Sequence, residues 1–153
     1  MAETKVTKLE QVNSYLCKIT NSADIAVTSA GWRTLSLNTD IYDPMNMHSV
    51  STNTERIVVP ESGYYAFGAV ARFSTSINGG LKIVRFNSSN VAQSGGVMNF
   101  ENSLRDILNV SGFHYLNSGD YIIMQVYTSV NCNVTISSES ESNIQLWCYM
   151  ISK

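Results

Sequence analysis

Residues 59–73, VPESGYYAFGAVARF, restrict the fold more than any other stretch of the chain. Pro60 fixes its φ and offers no backbone donor, and Gly63 permits a close backbone approach, so together they read as the entry to a strand. Beyond them the side chains separate by parity. Tyr65, Phe67, Ala69, Ala71 and Phe73 fall on one face, and Tyr64, Ala66, Gly68, Val70 and Arg72 on the other. Neither face is polar for most of its length. An antiparallel strand with one face in water alternates apolar and polar residues, so a strand apolar on both parities calls for a second covering layer. Another copy of the chain can supply it.

Two later stretches share this property. In YIIMQVYTSV, Ile122, Met124 and Val126 oppose Tyr121, Ile123 and Tyr127; in NIQLWCYMI, Leu146, Cys148 and Met150 oppose Trp147, Tyr149 and Ile151. If the three strands are neighbours in one sheet, their outer parity forms a continuous patch containing Tyr64, Tyr121 and Tyr127, larger than a monomer usually exposes. Each ring can bury about 150 to 250 Å², an upper bound of roughly 4 to 6 kcal/mol before ordering costs. Self-association is the economical reading.

The remaining segments supply partners for these strands. SYLCKIT, IAVTS and WRTLSLN read as short strands, and residues 38–56, polar and interrupted by Pro44, as a long connection. Asn78-Gly79-Gly80 signals a turn into LKIVRFN, and residues 87–96 signal a second loop, so one hairpin is expected here. Residues 98–116 are ambiguous. Leu104, Ile107 and Leu108 have helical spacing while Phe113 and Tyr115 alternate, which favours a strand from about Asp106. Asn117-Ser118-Gly119-Asp120 marks a turn, and NVTIS a further short strand. The expectation is an all-β, two-sheet antiparallel sandwich of about nine or ten strands over residues 14–153. Residues 1–13, with Val6, Leu9 and Val12 spaced for a short helix, read as a terminal extension or an attachment segment.

With 153 residues the chain can bury roughly 70% of its unfolded surface as one domain without staples. Charged residues are 14% of it and the net charge is -2, so there is no basic field to hold nucleic acid. No apolar run reaches about 18 residues and the N-terminus lacks the core of a secretory signal, so neither membrane insertion nor export by that route is expected. Cys17, Cys132 and Cys148 have no metal-ligand spacing. Free thiols are the default reading, although the apolar settings of Cys17 and Cys148 could make them neighbours and a disulfide pair.

VPESGYYAFGAVARF, followed by LNSGDYIIMQV and a short apolar closing strand, resembles the C1q and tumour-necrosis-factor-like jelly rolls. Pro60, Gly63, Tyr65, Phe67, Gly119 and Asp120 carry the resemblance, which spans about Ser14 to Ile151. It implies a jelly-roll sandwich that closes as a homotrimer, with Tyr64, Ala66, Gly68, Tyr121, Ile123 and Tyr127 at the interface. Cys148 stands where that family often has a glycine, and no collagen-like run precedes the domain. Leaderless, Asn- and Ser-rich members of this kind resemble modules of phage tail fibres and receptor-binding proteins. That resemblance implies a virion protein made in the host cytoplasm, whose partners are itself, other virion proteins, and a host-surface glycan or protein receptor. The alternative is a capsid-decoration or assembly protein with no host ligand.

No nucleophile, zinc or nucleotide motif is present, so no enzyme and no cofactor are expected. Asp40 and Asp43, with Asn38 and Asn46, offer oxygen ligands for Ca²⁺, but their spacing matches no calcium loop and solvated turn residues are the better reading. Tyr42, Asp43, Asn46 and His48 form a candidate ligand loop, an aromatic ring beside hydrogen-bonding groups that a saccharide could use.

Overall fold

The computed structural model describes residues 15–29, 31–136 and 144–153, with the backbone alone for residues 101–104. Among these residues there is no helix. The strands are β1 (Leu16–Thr20), β2 (Ile25–Val27), β3 (Arg33–Thr34), β4 (Thr39–Tyr42), β5 (Arg56–Val58), β6 (Gly63–Phe86), β7 (Ala92–Leu116), β8 (Tyr121–Thr128), β9 (Cys132–Val134) and β10 (Gln145–Ser152). Residues 1–13, expected as an extension, lie outside the described residues.

Two long strands organise the rest. The first half of β6 pairs with β10 and with the second half of β7; its second half pairs with β8 and with the first half of β7. The β6–β7 register slips between Arg72 and Ile77, where both strands pass from one layer of the sandwich to the other. One layer therefore runs β4-β1-β10-β6-β7 and the other has β3 and β5 on β8, then β6, then β7. The β2–β9 pair joins β6 through Phe73 and Val134. This is the two-sheet antiparallel sandwich that the sequence pattern implied, in the jelly-roll form that the resemblance implied.

The core lies between the layers. Tyr65, Phe67, Ala69, Ala71 and Phe73, which share one parity, are buried there, together with Ile122, Met124 and Val126 from β8 and Leu146, Cys148 and Met150 from β10. Cys17 and Cys148 lie directly opposite each other on β1 and β10 as free thiols, and burial pushes both well above the ordinary thiol range. The one buried guanidinium, among the described residues, is Arg85. It donates to the carbonyls of Ser94 and Tyr115, tying together the two ends of β7, and burial lowers its pKa.

The motifs that carried the resemblance meet in space. Gly119 adopts φ 86°, and its N–H donates to the Val59 carbonyl at 2.8 Å, while Val59 N–H donates to the Asp120 carbonyl at 2.9 Å. The Ser118 hydroxyl donates to the Pro60 carbonyl at 2.8 Å, and the Asp120 carboxylate caps the turn by accepting from Asn117 N–H at 2.9 Å. Glu61 makes a second clasp at this pole: it accepts from the Tyr15 hydroxyl at 2.5 Å and pairs with the Lys153 ammonium. That ammonium and then the Tyr15 hydroxyl hold the Glu61 carboxyl below its usual range.

Four expectations change. Asn78-Gly79-Gly80 is no turn but the middle of β6, where Gly79 makes room for the Ile77 side chain and the Tyr127 carbonyl, and Gly80 for the rings of Trp32 and Phe100. The hairpin closes later, at residues 87–91, where the Asn87 side chain accepts from Ser89 and Val91 N–H and Asn90 takes φ 61°. Residues 98–116 are strand throughout, so pairing with β6 overrides the helical spacing near Leu104. The long connection also contains β4, while WRTLSLN keeps only Arg33–Thr34 as strand.

Candidate functional site

The outward face of the first layer is built from cross-strand rows, since directly paired residues share a face. One row runs Tyr42, Lys18, Trp147, Gly68, Ser111; the next runs Leu16, Tyr149, Ala66, Phe113; a third joins Tyr64 to Tyr115. The rings are in contact. Tyr64 meets Tyr115 edge to face at 5.2 Å between centroids, and Trp147 stacks on Tyr149 at 5.7 Å. Trp147 lies flat over Gly68, where a Cβ would come within 2.2 Å of the indole. Phe113 is 71% exposed, Tyr64 48%, Tyr149 43% and Tyr115 41%. So much exposed aromatic surface on one sheet exceeds what isolated surface residues explain. Lys18 is the only charged side chain in these three rows.

Of the residues predicted for the interface, Tyr64, Ala66 and Gly68 lie on this face. Tyr121, Ile123 and Tyr127 do not join them, because β8 pairs with the second half of β6 and belongs to the other layer. Tyr121 is buried between Phe86, stacked at 5.0 Å, and the Arg56 guanidinium at 4.3 Å, with its hydroxyl donating to Asn90. Ile123 is buried beside it, and Tyr127 is half-buried against Trp32 and Phe100. The sequence reading missed Trp147, Tyr149, Phe113 and Tyr115 as members of the face. Their parity was visible for β10, but nothing in the sequence aligned β7 beside β6.

The predicted ligand loop is divided between surface and interior. Tyr42 is exposed at the β4 edge of the aromatic face. Asp43 accepts from the backbone N–H groups of Met47 and His48, each at 2.8 Å, and Asn46 makes the turn between them at φ 52°. His48 faces inward, with no exposed side-chain surface; Nδ1 meets Asp40 Oδ1 at 2.5 Å and Nε2 meets the Thr54 carbonyl at 3.2 Å. Both ring nitrogens are engaged, so His48 holds the loop and has none to offer a ligand. Asp40, Asp43 and Asn38 likewise direct oxygens to partners within the chain. Among the described residues no group of three His, Cys, Asp or Glu side chains is placed to hold a metal ion. A 300 Å³ pocket beside the loop is lined by residues including Asn46, Thr52, Asn53 and Arg56.

A second aromatic group lies on the outward face of the other layer. Trp32, Phe100 and Tyr127 pack around Gly80 with centroids 5.6 to 6.4 Å apart, and the Lys82 ammonium lies 4.2 Å above the Trp32 ring. Among the described residues no helix is long and apolar enough to cross a membrane.

The two-layer jelly roll defines the fold class, and comparison with solved structures narrows it. The chain is similar to murine APRIL, at TM-score 0.61 and 9% identity, over 89% of this chain and 98% of that one. It is also similar to an Eiger TNF from S. frugiperda, at TM-score 0.64 and 11% identity, over 90% of this chain and 92% of that one. The fold is that of the tumour-necrosis-factor-like jelly rolls. No protein-family description and no curated protein sequence matches the chain.

Proposed function

We propose that the protein is a non-enzymatic, homotrimeric virion module, carried on a phage appendage, that attaches to a host surface. The aromatic outward face of the first layer is the observation that supports this reading. Three copies closing on it bury rings that water would otherwise wet, and the low net charge of -2 opposes such association little. Three copies at one appendage tip also turn weak individual contacts into avidity. The polar, Asn- and Ser-rich loops are the surface left to meet the host. Sedimentation equilibrium is expected to return about three times the 16.9 kDa chain mass. Tyr64→Asp is expected to give folded monomer, because it sets a charge against its own copies in a dry contact. A wild-type monomer of full stability overturns the trimer. Binding of the pure protein to virion components but to no host cell overturns attachment in favour of a structural role.

A further inference from the structure

We propose that Trp32, Phe100, Tyr127 and Lys82, on the outward face of the second layer, form a subsite for an acidic saccharide. This site is separate from the self-association face and from the loop around His48.

The floor is a ring cluster over a gap in the side-chain layer. Tyr127, Gly80 and Phe100 are paired in one row across β8, β6 and β7, and Trp32 leans over the middle position. A Cβ at Gly80 would stand 2.6 Å from the Trp32 ring and 2.7 Å from the Phe100 ring, so only a glycine lets the rings converge there. Phe100 stays 44% exposed and its neighbour Met98 64% exposed. The axial C–H face of a pyranose ring fits such a surface by stacking.

The rim is polar in the row where the first-layer face continues in Leu16, Tyr149, Ala66 and Phe113. In the adjoining row Thr34, Gln125, Lys82 and Met98 are paired side by side. Gln125 donates to the Thr34 hydroxyl at 3.0 Å, leaving its amide oxygen and the hydroxyl proton for a ligand. Neither the Trp32 indole N–H nor the Tyr127 hydroxyl is hydrogen-bonded among the described residues. A dry protein interface needs a continuous apolar centre, and here polar groups interrupt it within one strand spacing. Sugar hydroxyls, by contrast, need donors and acceptors of this kind around a ring.

The charge selects an acid. Lys82 has no carboxylate partner among the described residues, and its ammonium rests on the Trp32 ring. It keeps donors free for a carboxylate or sulfate on the bound sugar.

This inference rests on the attachment reading for its biological use only; the binding stands without it. A glycan array carrying neutral, carboxylated and sulfated glycans, probed with the full chain, tests it. The expected result is retention of acidic glycans above their neutral counterparts, with the carboxylate and sulfate arms showing which anion is taken. Lys82→Gln is expected to remove that preference, and Phe100→Ala to weaken retention of both classes about ten-fold, roughly 1.4 kcal/mol. Thermal melting of each variant verifies that it is folded. Equal retention of neutral and acidic glycans, no retention, or acidic retention unchanged in both variants overturns the proposal. Binding to cells stripped of surface saccharide, with a blank array, overturns it while leaving attachment intact. A glycan-binding monomer does the reverse to the trimer.

Discussion

The two outward faces of the sandwich start from the same device and end in different surfaces. On the first layer Trp147 lies across Gly68, and on the second Trp32 lies across Gly80. On one side of the Trp147 row the next row is Leu16, Tyr149, Ala66 and Phe113 and on the other Gln145, Val70 and Asn109, while beside the Trp32 cluster the next row is Thr34, Gln125, Lys82 and Met98. The difference teaches that an indole over a glycine does not define a surface by itself. What surrounds it decides whether the patch can dry out against another copy or must stay wet.

The largest expected effect separates the faces by charge. Phe113→Arg places a cation at the β7 end of the row Leu16, Tyr149, Ala66, Phe113, on the most exposed ring of the first face, and is expected to weaken self-association at least about 100-fold, near 2.7 kcal/mol. Met98→Arg on the second face is expected to leave it unchanged. Sedimentation velocity over a concentration series reads both, and equal loss in the two variants would erase the distinction between the faces.

Next come the two glycines. In Gly68→Ala the new methyl would meet the Trp147 ring at 2.2 to 2.5 Å, expected to cost about 2 to 3 kcal/mol of stability. In Gly80→Ala the nearest contacts are longer, 2.6 Å to Trp32 Cη2 and 2.7 Å to Phe100 Cδ2, and about 1 to 2 kcal/mol is expected. Urea unfolding of monomeric backgrounds, such as Tyr64→Asp with each change, gives the ranking free of assembly.

The smallest effect is a pH dependence confined to the first layer. Glu61 has a carboxyl pKa lowered by Lys153 and Tyr15, so its contribution is present above the ordinary value of 4.5 and is lost as pH falls through the lower folded value. Glu61→Gln is expected to flatten the stability curve below pH 4.5 and leave neutral pH nearly unaffected. The clasp joins the start of β6 to the residues flanking β1 and β10, all first-layer strands, so acid should loosen that layer before the other. Hydrogen exchange at pH 3 to 4 on β10 and β8 compares them.

Parity made one part of this fold legible in the sequence. Alternation set Tyr65 and Phe67 on the face opposite Tyr64, the resemblance turned Tyr64 outward, and the apolar settings of Cys17 and Cys148 allowed the opposition found between β1 and β10. What parity cannot show is which strands share a layer. β6 and β8 carry the same two-sided signature, yet each half of β6 has its own partners, and the slip between Arg72 and Ile77 that divides them has no signal in the residue pattern. The glycines at 79 and 80 misled because a turn and a close side-chain approach ask for the same residue. The inward turn of His48 was equally invisible. Its partners, Asp40 and the Thr54 carbonyl, come from either side of an aperiodic polar segment.

The clasp at Glu61 also fixes how the molecule bears load. Leu16 pairs with Tyr149 on adjacent antiparallel strands, so both described ends of the chain leave from the same pole. Tension applied between those ends would open β1 from β10 as a zipper, breaking first the Glu61 contacts and then one residue pair at a time. Tension between either end and the opposite pole, where Thr20 bonds to the Ile144 carbonyl, would instead shear the whole β1–β10 ladder at once. The β1–β10 ladder would thus resist a pull along its strands better than one that separates the described ends.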